Sequence, residues 1–188
     1  MNKTRLGKYI EQIDLRNSDG ILGEDSVIGV STQKEFIITK ADLSGVSLTS
    51  YKKVPKNCFV YVSDTSRRGD KIALAYNTSE NVYLVSAIYT VFKIKDDSKN
   101  IILPDYLFLY YNRPEFDRYA RFHSWGSARE VFSWDDMCNI EIELPSISIQ
   151  KKYADVYSAI TKNAIFRTKI KNICPVLIKG ALEEAAKC

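Results

Sequence analysis

IEIELPSISIQKKYADVYSAITKNAIFRTKIKNI, residues 140–173, changes its hydrophobic period once, and that change decides the fold. Ile140–Leu144 alternates apolar and acidic residues, the pattern of a strand with one face in a core and one in water. Pro145 stops it. From Ile147 to about Ile173 there is neither Gly nor Pro, and Ile149, Tyr153, Val156 and Ile160 fall four, three and four apart, which is a helical seam. On the same register the seam next meets Asn163 and Arg167, so it supports coiled-coil pairing over about two heptads. Pro175 is expected to break or kink the helix, with VLIKGALEEAAK resuming it as a second piece weakened by Gly180.

Upstream, the sequence alternates strand-like runs with polar turns. Leu6–Ile13 reads as a short strand or helical turn, and Val27–Val30 and Glu35–Thr39 as strands. Residues 41–54, ADLSGVSLTSYKKV, read as loop and turn. Asn57–Val62 (NCFVYV) is a continuous apolar run, expected as a buried central strand, and Ile72–Tyr76 follows a polar loop. Residues 82–94 hold two or three more strands. Pro104 opens one or two helices, with Tyr106, Leu107, Leu109 and Tyr110 facing the core and Phe116, Tyr119 and Phe122 continuing the stripe after Pro114. HSWGSAR reads as a polar loop and Trp134–Cys138 as a helical turn. The fold class is therefore mixed α/β, a globular body followed by a long C-terminal helix.

A chain of 188 residues with 45% hydrophobic and 27% charged residues can bury a core. The net charge of +4 is concentrated in the tail: residues 151–188 carry eight Lys and Arg against three Asp and Glu, and the rest 19 against 20. Nucleic-acid binding must therefore rest on local clusters. Cys58, Cys138, Cys174 and Cys188 are widely spaced and share one histidine, which argues against a zinc site and for free thiols in a reducing cytoplasm. Neither a secretion signal nor a membrane-spanning apolar stretch is visible.

Catalytic constellations are sparse. His123 is the sole histidine, set among Arg121, Ser124 and Arg129, a neighbourhood that suits a surface or DNA-contacting residue better than a catalytic one. The pairs Asp96/Asp97 and Asp135/Asp136 are adjacent in sequence, so their carboxylates point apart. No glycine-rich phosphate loop is present.

Two polar clusters remain. Lys52, Lys53, Lys56, Arg67, Arg68 and Lys71 place six positive charges within twenty residues, against Asp64 and Asp70. Arg118, Arg121, His123, Ser124, Trp125, Ser127 and Arg129 follow a helix with donors suited to base edges and phosphates. Each cluster also has a bland reading as a solvated face, though an exposed Trp125 would be costly without a partner.

GVSTQKEFI (29–37), DTSRRGDKIALAYNTS (64–79), RPEFDRYARFHSWGSAREVFSWDDM (113–137) and IELPSISIQKKYADVYSAI (142–160) follow one another in order. Together these blocks resemble the target-recognition domain of the specificity subunit of Type I restriction-modification systems, over residues 6 to about 160. The run RPEFDRYAR, GSAREVF and WDDM is its specific part, whereas the PSI-x-x-Q start of the closing helix is shared widely in that family.

The resemblance implies a DNA target-recognition domain at residues 1–146 and a helical dimerisation or spacer segment at 147–188. Full subunits of the family carry two of each, so this chain has half-subunit length, as a self-pairing half-subunit on a palindromic split target or as an isolated fragment. The ending NICPVLIKGALEEAAKC departs from the family's uninterrupted helix. Implied partners are double-stranded DNA, a DNA-methyltransferase (modification) subunit and a restriction subunit. No cofactor is implied on this chain, S-adenosylmethionine belonging to the modification subunit. NRPEF and SRRGD do not match the Asn/Asp-Pro-Pro-aromatic motif of an adenine methyltransferase, consistent with a chain that supplies an address without catalysis. The residues expected to touch DNA are Arg67, Arg68, Lys71, Ser124, Ser127 and Arg129, with Lys52, Lys53 and Lys56 on phosphates. Two other readings stay open: a methyltransferase-docking protein that does not read DNA, and a small metal-dependent nuclease.

Overall fold

A computed structural model describes residues 3–66, 71–127 and 129–185, with side chains described as far as 179 except at 165, 172, 177 and 178. In chain order the strands are β1 (Thr4–Arg5), β2 (Ile10–Gln12), β3 (Ile28–Val30), β4 (Phe36–Ile38), β5 (Lys52–Val54), β6 (Cys58–Tyr61), β7 (Leu74–Tyr76), β8 (Tyr83–Val85), β9 (Thr90–Ile94), β10 (Ser124–Trp125), β11 (Val131–Phe132) and β12 (Glu141–Ile142). The α-helices are α1 (Pro104–Tyr111), α2 (Pro114–Phe122), α3 (Trp134–Cys138) and α4 (Ile147–Ala185).

The apolar run at 57–62 becomes β6, buried along its whole length in an antiparallel sheet of order β2-β9-β6-β7. Its alternate side chains enter two different cores. Phe59 and Tyr61 join Ile10, Leu74, Tyr76, Phe92 and Ile94 on one face, and Cys58, Val60 and Val62 join Val54, Ala75, Val85 and Val91 on the other. A strand buried on both faces needs apolar residues at every position, so its sequence loses the period of two. Phe59 stacks on Tyr76 at 4.6 Å and on Phe92 at 5.0 Å, while Tyr111 meets it edge-on at 5.8 Å. Such pairs contribute about 0.5–1.5 kcal/mol each beyond their buried area.

The helices cover the aromatic face. Pro104 and Pro114 both sit in first turns, where a missing N–H costs nothing, and so restart the chain as two helices. Leu107 and Phe116 are buried as the stripe predicts, and Tyr111, outside the expected set, is fully buried too, whereas Tyr106, Leu109 and Tyr110 are only partly covered. Phe122 departs from the expected stripe at 72% exposure, because α2 ends there and the chain turns away into a hairpin. Ser133 caps α3 in a reciprocal capping box with Asp136.

Residues 41–54 were expected as loop, yet Lys52–Val54 pairs with β8 (Lys53 opposite Leu84). The two lysines mask the strand: their stems lie half-buried along it and their ammonium groups find local acceptors. Likewise HSWGSAR is not simply a loop, since Ser124 and Trp125 form β10 against β11. Ile140–Leu144 keeps its alternation, and Glu141–Ile142 pairs with Thr4–Arg5. At Gly7 an added Cβ would lie 2.7 Å from Cys138 Cβ, so a glycine lets α3 pack directly on the N-terminal turn.

α4 is 39 residues, about 58 Å at 1.5 Å per residue. It runs through Pro175 instead of ending there, which an exposed helix tolerates because water reaches the freed carbonyl. Its first turns are fixed by Gln150, fully buried, whose Oε1 accepts from Leu103 N–H at 2.9 Å while Nε2 donates to the carbonyls of Ile101 and Pro145 at 2.8 Å. Beside and beyond that anchor the seam residues Ile149, Tyr153, Val156 and Ile160 are exposed. Among the described residues no helix is long and apolar enough to cross a membrane.

Candidate nucleic-acid interface

The second polar cluster is built where α2 hands over to the β10–β11 hairpin. Ser124 Oγ donates to the Ala120 carbonyl at 2.7 Å, and the His123 ring stacks on Tyr119 at 4.0 Å with Nδ1 2.9 Å from the Tyr119 carbonyl. These two side chains therefore finish the helix rather than reach outward. Gly126 makes the turn at φ +139°, where a Cβ would fall 2.0 Å from the Arg129 carbonyl oxygen. No other residue fits that position. The turn leaves Ser127 and Arg129 exposed. Phe122 and Trp125, 72% and 63% exposed, meet edge-on at 6.4 Å beside them. Arg121 is held by Glu130, and Arg118 pairs with Glu115 at 3.2 Å.

The segment that leads into the arginines of the first cluster lies against the same hairpin. Residues 63–66 lie against the hairpin: Phe132 N–H donates to Ser63 at 2.9 Å, Asp64 bridges Val131, and Thr65 bonds the Glu130 carbonyl. Arg67 and Arg68 lie outside the described residues. The chain is described again at Lys71, exposed beside Asn112, Pro114, Asp117 and Arg118 at the start of α2, where they line a cavity of about 240 Å³. Lys71 thus sits at the start of α2, and Ser127 and Arg129 sit in the turn of the hairpin that follows its end, all three exposed.

Lys52, Lys53 and Lys56 belong elsewhere, on β5 and the turn after it. Lys52 Nζ donates to the Tyr89 carbonyl at 2.8 Å and lies 4.0 Å from Asp14. Burial lowers its pKa, partly offset by Asp14. Lys53 pairs with Asp19 at 2.7 Å and Lys56 with Glu80. Each of the three ammonium groups thus has a neighbouring acceptor, a carbonyl for Lys52 and a carboxylate for Lys53 and Lys56.

Sequence reasoning missed Lys34. It adopts φ +64° and reaches from the β3–β4 turn to Asp117 on α2, 2.5 Å away, with the two side chains 5% and 13% exposed. Burial pushes the Lys34 pKa down, opposed by Asp117 and reinforced by Lys71. Nothing in the local sequence marks it, because the partner lies 83 residues away.

The paired carboxylates are occupied as well: Asp96 holds Lys93 and Lys99, and Asp136 caps α3. Among the described residues, no group of three or more His, Cys, Asp or Glu is placed to hold a metal ion.

A small two-faced sheet, a helix-backed hairpin and a long C-terminal helix make up the architecture. The chain belongs to the family of the Type I restriction modification DNA specificity domain, whose family model matches residues 6–173. Solved structures share its fold. The HsdS subunit from Thermoanaerobacter tengcongensis is similar at 19% identity and TM-score 0.57, over 97% of this chain and 48% of that one. The Type-I restriction-modification system S subunit from M. genitalium is similar at 10% identity and TM-score 0.51, over 86% and 39%. A chain from a study of type I R-M system assembly and conformational transition gives 11% identity and TM-score 0.50, over 91% and 41%. This chain thus spans less than half the length of each of those chains. No curated protein sequence matches it.

Proposed function

We propose that this chain reads one half of a split double-stranded DNA target and delivers that address to a modification subunit, and to a restriction subunit where one is present, without supplying chemistry itself. The carrying observation is the two-stranded ribbon after α2, whose turn exposes Ser127 and Arg129 beside the exposed Phe122–Trp125 pair, with Lys71 exposed at the start of the same helix. A β-ribbon fits the major groove of B-DNA, where Arg and Ser read base edges and Lys neutralises phosphate. Arg67 and Arg68 follow directly on the segment that lies against the hairpin and belong to the same proposed contact set. S-adenosylmethionine would reside on the modification subunit, and the site of action would be the cytoplasm. The exposed apolar residues of α4 support pairing with a second long helix, and a second copy of this chain would make the target palindromic.

The test is to purify the chain with its modification subunit, incubate the complex with a randomised duplex library at near-physiological salt, and sequence what is retained. One split motif is the expected result, palindromic if two copies of the chain pair. The α4 stripe also favours a second reading, a protein that docks on the modification subunit without reading DNA. A stable complex that enriches no motif would favour that reading.

A further inference from the structure

We infer that Lys34 and Asp117 are positioning residues for DNA reading: together they clamp the main chain at Ile72 and so set where Lys71 is presented. This rests on the DNA-reading role proposed above. Lys34 Nζ donates to the Ile72 carbonyl at 2.7 Å and to Asp117 Oδ1 at 2.5 Å, and Asp117 Oδ1 accepts the Ile72 N–H at 3.1 Å. One ion pair thereby holds both polar groups of a single peptide-bearing residue. Ile72 itself is buried in the aromatic core, so the clamp ties the loop's return to the sheet and to α2 at once. Lys34 Nζ also lies 5.5 Å from the Phe116 ring centroid, a cation–π contact that fixes its approach.

An ion pair this well covered is a poor device for stability, because desolvating two charges offsets most of their attraction, and apolar replacements are commonly neutral or better. What it supplies here is geometry. The segment before residue 67 is held at Thr65 by the Glu130 carbonyl, and the segment after residue 70 is held at Ile72 by Lys34 and Asp117. Thr65 is therefore held from the hairpin that follows α2, and Ile72, next to Lys71, from the first turns of α2 itself.

The experiment compares the parent with Lys34→Met/Asp117→Asn, which removes both charges and the donor to Ile72 while keeping an acceptor for its N–H. Both are purified in complex with the modification subunit. Three quantities are measured: thermal unfolding, hydrogen exchange at the Ile72 amide, and the ratio of affinities for the motif the parent selects and for a scrambled duplex. Expected are near-parental unfolding, faster exchange at Ile72, and an affinity ratio lowered roughly tenfold, the scale of one lost specific contact. If the double variant does not fold, Lys34→Gln, which keeps an amide donor without the charge, takes the same readouts. An unchanged ratio in a folded variant whose Ile72 amide has lost protection overturns the proposal, as does unchanged protection. A parent complex that selects no motif removes the DNA-reading premise, and that failure is seen in the parent alone.

Discussion

Thr65 gives the Glu130 carbonyl two hydrogen bonds, from its amide N–H at 2.9 Å and from its hydroxyl at 3.1 Å. Glu130 in turn holds Arg121 through its carboxylate, so one residue of the hairpin joins the 63–66 segment to α2. Thr65→Val keeps the shape and the backbone bond but removes the hydroxyl. It should cost about 1 kcal/mol, the net worth of one buried neutral hydrogen bond, read as a lower denaturant midpoint at unchanged slope.

The hairpin has a single point of failure at Gly126. Alanine there would meet the Arg129 carbonyl and sit at φ +139°, so Gly126→Ala should cost more than about 1 kcal/mol locally. Because the cores do not involve this turn, the expected outcome is a folded protein with lost protection at the Trp125 amide and loss of motif selection. Unfolding curves and amide exchange on one sample check it.

Salt dependence separates the two lysine groups. Lys71→Ala and Arg129→Ala should each lower the slope of log K against log salt by about 1 if each meets a phosphate. Lys53→Ala should change it little, since Lys53 is paired with Asp19. A slope unchanged by Lys71→Ala and Arg129→Ala would remove both from the contact set.

The thiols differ enough to report on unfolding. Burial raises Cys58 to about 11, so at pH 8 it stays protonated as well as covered, whereas Cys174 is exposed. A thiol that keeps its proton longer in the folded state adds stability that is lost as pH rises from the ordinary thiol range toward that value. Alkylation at pH 8 should mark Cys174 within minutes and Cys58 only at the rate of opening, by peptide mapping.

Gln150 carries the mounting of α4. Gln150→Ala leaves the Leu103 N–H and two carbonyls unsatisfied, and should cost about 2–3 kcal/mol, the penalty of orphaned buried polar groups. Gln150→Glu keeps an acceptor for Leu103 but presents a carboxylate to two carbonyls, and should fare no better. Denaturant unfolding measures both.

What the sequence made legible follows from where its constraints are local. β6, the alternating strand at 140–144, the two proline-started helices and the helical start at Ile147 all carry their signal within a few residues. β5 was hidden because Lys52 and Lys53 look solvated until Tyr89 and Asp19 arrive from elsewhere in the chain. β10 and β11 are two residues each, too short for any period to show. Of the candidate contact residues, Lys71, Ser127 and Arg129 are exposed as expected, while Ser124 turns back onto α2. The Lys34–Asp117 clamp illustrates the general limit. A contact between a β-turn and a helix far along the chain leaves no trace in either segment alone.

β1 and β12 pair Thr4 with Ile142 and Arg5 with Glu141, five residues short of α4. The α/β body is therefore closed before α4 begins, as a drawstring closes a bag, and the helix is fastened to it separately, through Gln150 and its packing on α1. Closure and fastening rest on different contacts, so a change at Gln150 should loosen the helix while the body stays shut.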